Sequence, residues 1–378
     1  MKRAWTDLTD PTRRKSLDMP RALRREENDP MPRRLKFFIT GGAGFLGQSL
    51  ARHLLKRGYR VATIDLASFD YPDIRDRVEH FQGDIRNKEL LQRAAKGADV
   101  IVHAAAGLPL WKPEEIRSVN IEGTNNVLLV AIELNIKRVV YISSTAVYGI
   151  PDQHPLYENS RLEGVGPYGE SKIEAERICG LYRNKLCVPI LRPKSFIGPG
   201  RLGVFDILFD WIRRGKNIPI IGKGNNLYQL LHVDDLNEAI LLASAKPSKK
   251  ANDTFNIGAE KFGTMKQDYQ ALLDYAGFGK KVIGTPARPL VYTLKFFEML
   301  GISPLYKWVY ETADKDSYVS IEKAKKVLGW RPKKSNVDAL IDSYKWYLKH
   351  YREYEGKSGV THRVPWKQGI LAFFRWFF

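Results

Sequence analysis

The stretch Thr40-Gly41-Gly42-Ala43-Gly44-Phe45-Leu46-Gly47 restricts what this chain can fold into more than any other. It follows directly on an apolar run, Leu35-Lys36-Phe37-Phe38-Ile39, and leads into a segment from Phe45 to Arg57 with Leu46, Leu50, Leu54 and Leu55 on one side. That spacing predicts a helix, and Gly58 stands where a left-handed residue ends one. Gly42, Gly44 and Gly47 satisfy the G-x-G-x-x-G spacing, and Gly41, Gly44 and Gly47 satisfy its shifted form. Glycine at these points permits a tight turn, lets backbone approach a bulky group, and lets helix and strand pack closely. A helix starting there turns free N–H groups and the positive end of its dipole toward whatever lies above the turn, which suits phosphate.

The alternation of strand and helix then repeats. Strand Arg60–Ile64 finishes at Asp65, helix Lys88–Lys96 leads to strand Val100–His103, and helix Asn120–Asn135 leads to strand Arg138–Ser143. A further helix, Ser171–Arg183, precedes strand Pro189–Arg192. This order predicts an α/β fold, a doubly wound parallel sheet with helices on both faces. In such a fold an acid ending the second strand accepts hydrogen bonds from adenosine ribose hydroxyls. Asp65 stands there, and its charge repels a 2′-phosphate, so the turn and Asp65 together point to NAD rather than NADP. Asp84, in Gly83-Asp84-Ile85, is a candidate for the adenine or an acid capping a turn.

Four regions follow from composition. Residues 1–34 mix Arg, Lys, Asp, Glu and Pro with few large apolar groups and read as a disordered basic arm. Residues 35–195 carry the dinucleotide-binding pattern. Residues 196–350, with loops such as Ile197-Gly198-Pro199-Gly200, read as a smaller substrate-binding lobe, partly interleaved with the sheet because Thr254-Phe255-Asn256-Ile257 has strand character. Residues 351–378 form a basic, aromatic tail with Trp366, Phe373, Phe374, Trp376, Phe377 and Phe378. The tail suits an interfacial membrane anchor, or docking on its own domain or a partner subunit.

A net charge of +19 admits a lysine-rich solvated surface or contact with an anionic membrane, and no nucleic-acid signature accompanies it. Cys179 and Cys187 lack C-x-x-C spacing and form no disulfide framework. No segment resembles a secretory signal or a bilayer-spanning helix. A cytoplasmic location is expected, with the tail as a candidate contact to the inner face of a membrane. His103 and His232 sit beside apolar strand residues without a second ligand at metal spacing, so no metal is expected.

Tyr168 and Lys172 stand four apart at the start of a helix, on one face. A lysine so placed can lower a tyrosine pKa and orient a cofactor ribose. Ser143-Ser144-Thr145 end a strand and bring hydroxyls to the edge of the sheet where ligands bind in such folds.

Together these residues resemble the extended branch of the short-chain dehydrogenase/reductase superfamily, the NAD-dependent epimerase/dehydratase group with its Rossmann fold. The resemblance rests on the glycine turn, Asp65, Gly83-Asp84, Val102-His103-Ala104-Ala105, and Asn120 with Gly123-Thr124. It continues through Ser143–Gly149, Tyr168-Gly169-Glu170-Ser171-Lys172, Leu191-Arg192-Pro193, His232–Leu236 and Leu328–Pro332. It implies cofactor contacts from Gly41, Gly44, Phe45, Leu46, Gly47, Asp65, Asp84, Ile85, Ala104, Ala105, Tyr168 and Lys172. It also implies that Tyr168 takes a proton from a substrate hydroxyl while hydride passes to nicotinamide, with Ser144 or Thr145 hydrogen-bonding the same oxygen. Lys194 and Ser195 join Ser144 and Tyr168 as candidate substrate contacts, and a homodimer is the assembly the resemblance favours.

Departures narrow the chemistry. Dehydratases of this group carry an Asp-Glu pair where this chain has Thr145 and Ala146, and Ala146 has no proton to give. Ser195 replaces a common asparagine, and Tyr228-Gln229 and Glu311–Asp316 stand where arginines usually grip a diphosphate. Lys194, Arg201, Lys223 and Lys315 are candidate replacements. The expectation is an epimerase of a nucleotide-linked sugar. The alternatives are a 3β-hydroxysteroid dehydrogenase-like enzyme of a membrane-borne alcohol, with Gly107–Trp111 walling an apolar site, or a non-catalytic NAD-binding regulator.

Overall fold

Hydrogen bonds from β1 (Lys36–Thr40) to its two neighbours organise the molecule: β2 (Arg60–Asp65) lies on one side and β4 (Val100–His103) on the other, both parallel to it. The computed structural model describes residues 34–109, 111–287 and 313–354, with 289, 292 and 295 as single positions. The expectations for the N-terminal arm and for the aromatic tail therefore lie outside the described residues, as does Leu110 of the apolar loop.

From β2 the chain adds β3 (Val78–Gln82) at one edge, then crosses back through helix α2 (Lys88–Ala95) to β4. Beyond β4 come β5 (Val139–Ile142), β6 (Ile190–Pro193) and β10 (Thr254–Ile257), all parallel, giving the order β10-β6-β5-β4-β1-β2-β3. The doubly wound parallel sheet is thus present, with seven strands. Strand order reverses between β1 and β4, and the carboxyl ends of those strands open the crevice where such sheets bind ligands.

Alternation along each strand explains why both faces are covered. Phe37 and Ile39 of β1 point to one core with Leu50 and Leu54 of α1 (Phe45–Lys56) and Leu236 and Ile240 of α7 (Val233–Ala245). Phe38 points to the other, with Leu91 of α2, Val127 and Leu128 of α4 (Gly123–Glu133), and Ala175 and Ile178 of α5 (Gly166–Leu181). Burying each such leucine or phenylalanine contributes about 1.5–3 kcal/mol. A third core joins α6 (Val204–Arg213), α9 (Met265–Ala276) and the helix Asn336–His350 through Phe209, Leu272, Leu273, Tyr344 and Tyr347. Short parallel pairs, β7 (Phe196–Ile197) with β9 (Leu231–His232) and β8 (Ile218–Ile221) with β11 (Val282–Thr285), knit that lobe to the end of β6.

Several elements differ from the sequence reading, among them α5, expected from Ser171 but begun at Gly166. β3 was not expected, because Val78-Glu79-His80-Phe81-Gln82 is a short, mostly polar edge strand without a continuous apolar run. The helix expected from Asn120 instead begins as a π-helical turn, Ser118–Glu122, before α4, and Asn120 is drawn into the interior there.

Candidate active site

The glycine turn is held by the strands beneath it. The N–H groups of Gly41 and Gly42 donate to the Ile64 carbonyl at 2.8 and 3.2 Å, and the Ala104 N–H donates to Thr40 O at 3.2 Å. Gly41 adopts φ +71°, and a Cβ there would meet the Ala105 nitrogen at 2.8 Å. At Gly47 a Cβ would fall 2.2 Å from the Gly41 carbonyl oxygen, so the first turn of α1 can lie against the loop only without a side chain. The N-cap Gly44 supplies no side-chain cap, and no acid sits in the first turn, so the positive end of α1 faces the groove.

Asp65 accepts from the Ala43 N–H at 3.0 Å and from the Ala67 N–H at 2.9 Å. It thus ties the turn to the end of β2 and keeps lone pairs for another donor. Asp84 forms a bidentate pair with Arg86, which reaches on to Glu115, and this pair holds its carboxyl below the usual range against the opposing effect of burial.

A groove of about 1620 Å³ runs over these residues. Its lining brings together Gly41, Gly44, Phe45, Leu46, Gly47, Asp65, Asp84, Ile85, Ala104 and Ala105 with Ser144, Thr145, Tyr168, Lys172, Lys194 and Ser195. Leu108, Pro109, Trp111 and Arg201 also line it, whereas Lys223 does not, and Lys315 lines only a small side chamber. These features fit a dinucleotide: a glycine cradle that a Cβ would fill, an uncapped helix N-terminus for the pyrophosphate, and an acid at the end of β2.

Tyr168 lies in the first turn of α5, and its phenol is hydrogen-bonded by the Ser144 side chain. Burial raises the phenol pKa, while the Ser144 bond and the charge of Arg201 oppose that rise. Arg201 stacks over Phe45 and Phe196, at 5.4 and 5.7 Å from their ring centres. Lys172 is 2% exposed. Its ammonium donates to Ile142 O at 2.9 Å and to the Tyr141 hydroxyl at 3.2 Å, and burial lowers its pKa to about 8. Lys172 thus bonds Tyr141 and Ile142 rather than the Tyr168 phenol, and Tyr141 is a neighbour that helical spacing did not reveal.

Other motif residues prove to be braces. Arg192 donates to both oxygens of Glu176 and to the Tyr148 hydroxyl, Ser143 Oγ donates to Glu176, and Tyr148 donates to Asn256. This buried network pins the end of β5 from which Ser144 and Thr145 project. Asn120 accepts from the Gly107 N–H at 2.8 Å and donates to Ser171 Oγ at 2.9 Å. Ser171 in turn donates to the Tyr168 carbonyl at 2.9 Å, which fixes the start of α5.

His103 has a complete account in the core. Thr124 Oγ1 spends its hydrogen on Asn120 O, so it accepts from His103 Nε2, and Nδ1 then accepts from Thr40 Oγ1. The ring is neutral, and burial lowers its pKa to about 3.

The other end of the groove differs from the expected diphosphate grip. Gln229 braces loops, donating to Ala259 O at 2.7 Å and accepting from the Val319 N–H at 2.9 Å. The Tyr228 phenol is hydrogen-bonded by Ser195. Lys194 is 3% exposed, donates to Ser317 Oγ at 2.6 Å, and has its pKa lowered to about 7 by burial.

Comparison with known proteins agrees with this arrangement. The model of the NAD dependent epimerase/dehydratase family matches residues 37–258. An uncharacterized protein, y4nG, of Sinorhizobium fredii is 36% identical, over 88% of this chain and 84% of its own. A UDP-glucose 4-epimerase of Lactobacillus helveticus is 30% identical, over 85% of this chain and all (100%) of its own. Among solved structures, the epimerase Mth375 of Methanothermobacter thermautotrophicus superposes with a TM-score of 0.72 at 23% identity, covering 86% of this chain and 95% of that one. No helix among the described residues is long and apolar enough to cross a membrane. The chain belongs to the NAD-dependent epimerase/dehydratase family, and it is an NAD-dependent enzyme of the extended short-chain dehydrogenase/reductase type.

Proposed function

We propose that this chain epimerises a nucleotide-linked sugar, of the uridine diphosphate class named for its Lactobacillus helveticus relative. The observation that carries the reading is the hydrogen bond between Ser144 and the Tyr168 phenol, in one groove with the glycine turn. Thr145 and Ala146, where a dehydratase needs two acids, argue against loss of water.

Gly41, Gly44 and Gly47 would hold the pyrophosphate with the amides of Phe45 and Leu46, Asp65 the adenosine ribose, and Asp84 and Ile85 the adenine side. Ala104, Ala105, Tyr168 and Lys172 would border the nicotinamide half. When bound, NAD supplies a reversible two-electron acceptor. Tyr168 serves as the proton carrier: its oxygen takes the proton of a sugar hydroxyl and later returns it. Ser144 bonds to the same oxygen and holds it at the phenol, with Thr145 beside it as the alternative holder. The positive charge of Arg201 favours the ionised phenol, and Lys172, one helical turn further along α5, would orient the cofactor ribose. Lys194 and Ser195 contact the sugar.

The deciding measurement uses purified full-length protein with UDP-glucose and UDP-galactose. Interconversion without net NADH at 340 nm is expected. Accumulation of NADH with an apolar alcohol instead would favour the dehydrogenase reading, to which Leu108, Pro109 and Trp111 in the groove wall lend support. Absence of any turnover, with NAD bound, would favour a regulator.

A further inference from the structure

Among the described residues, Lys194 is a buried amine without a counter-charge. Burial is the sole influence that shifts its pKa, and its hydrogen-bond partner among the described residues is the neutral Ser317 hydroxyl. Arg192 nearby is paired with Glu176, and Lys172, although burial lowers its pKa, has the charges of Cys179 and Glu176 opposing that fall. An ammonium removed from water without an anion is costly, and the cost is relieved when a ligand brings the anion.

Its position indicates which part of a ligand that is. Lys194 follows Pro193 at the end of β6 and lies 5.3 Å from the Tyr228 ring centre, whose hydroxyl is bonded by Ser195. Lys194 and Thr145 line both the main groove and the small chamber beside it. Thr145 directly follows Ser144, which bonds the Tyr168 phenol, so the ammonium stands at the reacting end of the groove. The same chamber is lined by His154, Lys315 and Asp316; His154 feels the charges of both Lys194 and Asp316, and the Asp316 carboxylate accepts the Leu227 N–H at 2.8 Å.

Resting on the epimerase reading above, we infer that Lys194 receives a carboxylate carried on the sugar ring, making a nucleotide-linked uronic acid the preferred substrate class. A carboxyl group at C6 of a hexose is two bonds from C4, so it falls beside a hydroxyl held at Tyr168 and Ser144. The Ser317 hydroxyl bonds the ammonium, the Tyr228 ring lies beside it and Ser195 bonds the Tyr228 hydroxyl, so hydroxyl donors stand close by for such a carboxylate.

Calorimetric titration of full-length, NAD-loaded protein with UDP, UDP-glucose and UDP-glucuronate tests this. The wild type is expected to bind UDP-glucuronate about tenfold or more tightly than UDP-glucose, the effect of one charge-assisted hydrogen bond. Lys194→Met should abolish that preference while leaving UDP affinity within about twofold, and Lys194→Arg should restore part of it. Retained NAD and an unchanged circular dichroism spectrum establish that each variant is folded. Equal binding of the two sugars by the wild type overturns the inference and leaves the epimerase reading standing. So does a Lys194→Met variant that loses UDP and UDP-glucuronate equally, since the cation would then serve the diphosphate. Failure of all three ligands to bind overturns both readings.

Discussion

The two ends of the groove are built by opposite means. At the dinucleotide end the ligand-facing surface is mostly main chain, held by carbonyls of β1 and β2 and by the absence of side chains at Gly41 and Gly47. At the sugar end it is side chain, and Ser144, Tyr168 and Lys194 arrive from three separate segments. Main-chain geometry follows from a few adjacent residues, so that end is shared across a family. Side chains converging from distant segments can change one at a time, so the far end is where substrate is chosen.

The largest effect belongs to the junction of the two ends. Tyr168→Phe should lower turnover by about 10²–10⁴-fold, the range of general acid–base catalysis, while NAD content stays at one per chain. Turnover that survives the change would remove Tyr168 from the chemistry. Next comes the brace behind both ends: Glu176→Gln strands the buried Arg192 charge and should cost about 3–5 kcal/mol in urea unfolding. A loss under 1 kcal/mol would mean that the network does not stiffen the Ser144 loop. On the main-chain side, Gly47→Ala forces a Cβ against the Gly41 carbonyl and should cost about 1–3 kcal/mol and release NAD on gel filtration. Asp65→Asn keeps one of the two oxygens that accept from Ala43 and Ala67 and loses the charge, so NAD affinity should fall about tenfold and discrimination against NADP should shrink.

The smallest effect concerns pH and the sugar end alone. The Lys194 pKa is about 7 in the folded chain and near 10.5 unfolded, so the unfolded state binds more protons between those values. The penalty for burying the cation is therefore full below pH 7 and is relieved as pH rises from 7 toward 10.5. Lys194→Met should melt higher than wild type in the ligand-free state, by on the order of 1 kcal/mol below neutral pH. The gap should close at alkaline pH. A gap that stays constant with pH would show that the ammonium is solvated in the folded protein.

Legibility followed the same division. Strands β1, β2 and β4 and the turn at Gly41–Gly47 could be read from apolar runs and glycine spacing, because each is a local pattern. The edge strand Val78–Gln82 could not, since a half-exposed strand has no continuous apolar signal. Tyr168 and Lys172 were legible as an i, i+4 pair, but their partners were not. Ser144 lies 24 residues before Tyr168 (168 − 144), and Lys172 turned out to bond Tyr141 and Ile142 on a neighbouring strand. Arg192, Ser143 and Asn120 were visible as motif residues, yet their work as braces appears only through Glu176 and Ser171.

The sequence by itself therefore determined the fold class, the family and the dinucleotide, because local backbone geometry and strand–helix periodicity encode them. Only the tertiary structure decided that Asp65 also anchors the turn, that Arg201 stands within electrostatic reach of Tyr168, and that Lys194 is buried without an acid among the described residues. Burial and counter-charge are properties of what packs around a residue, and no spacing along the chain records them.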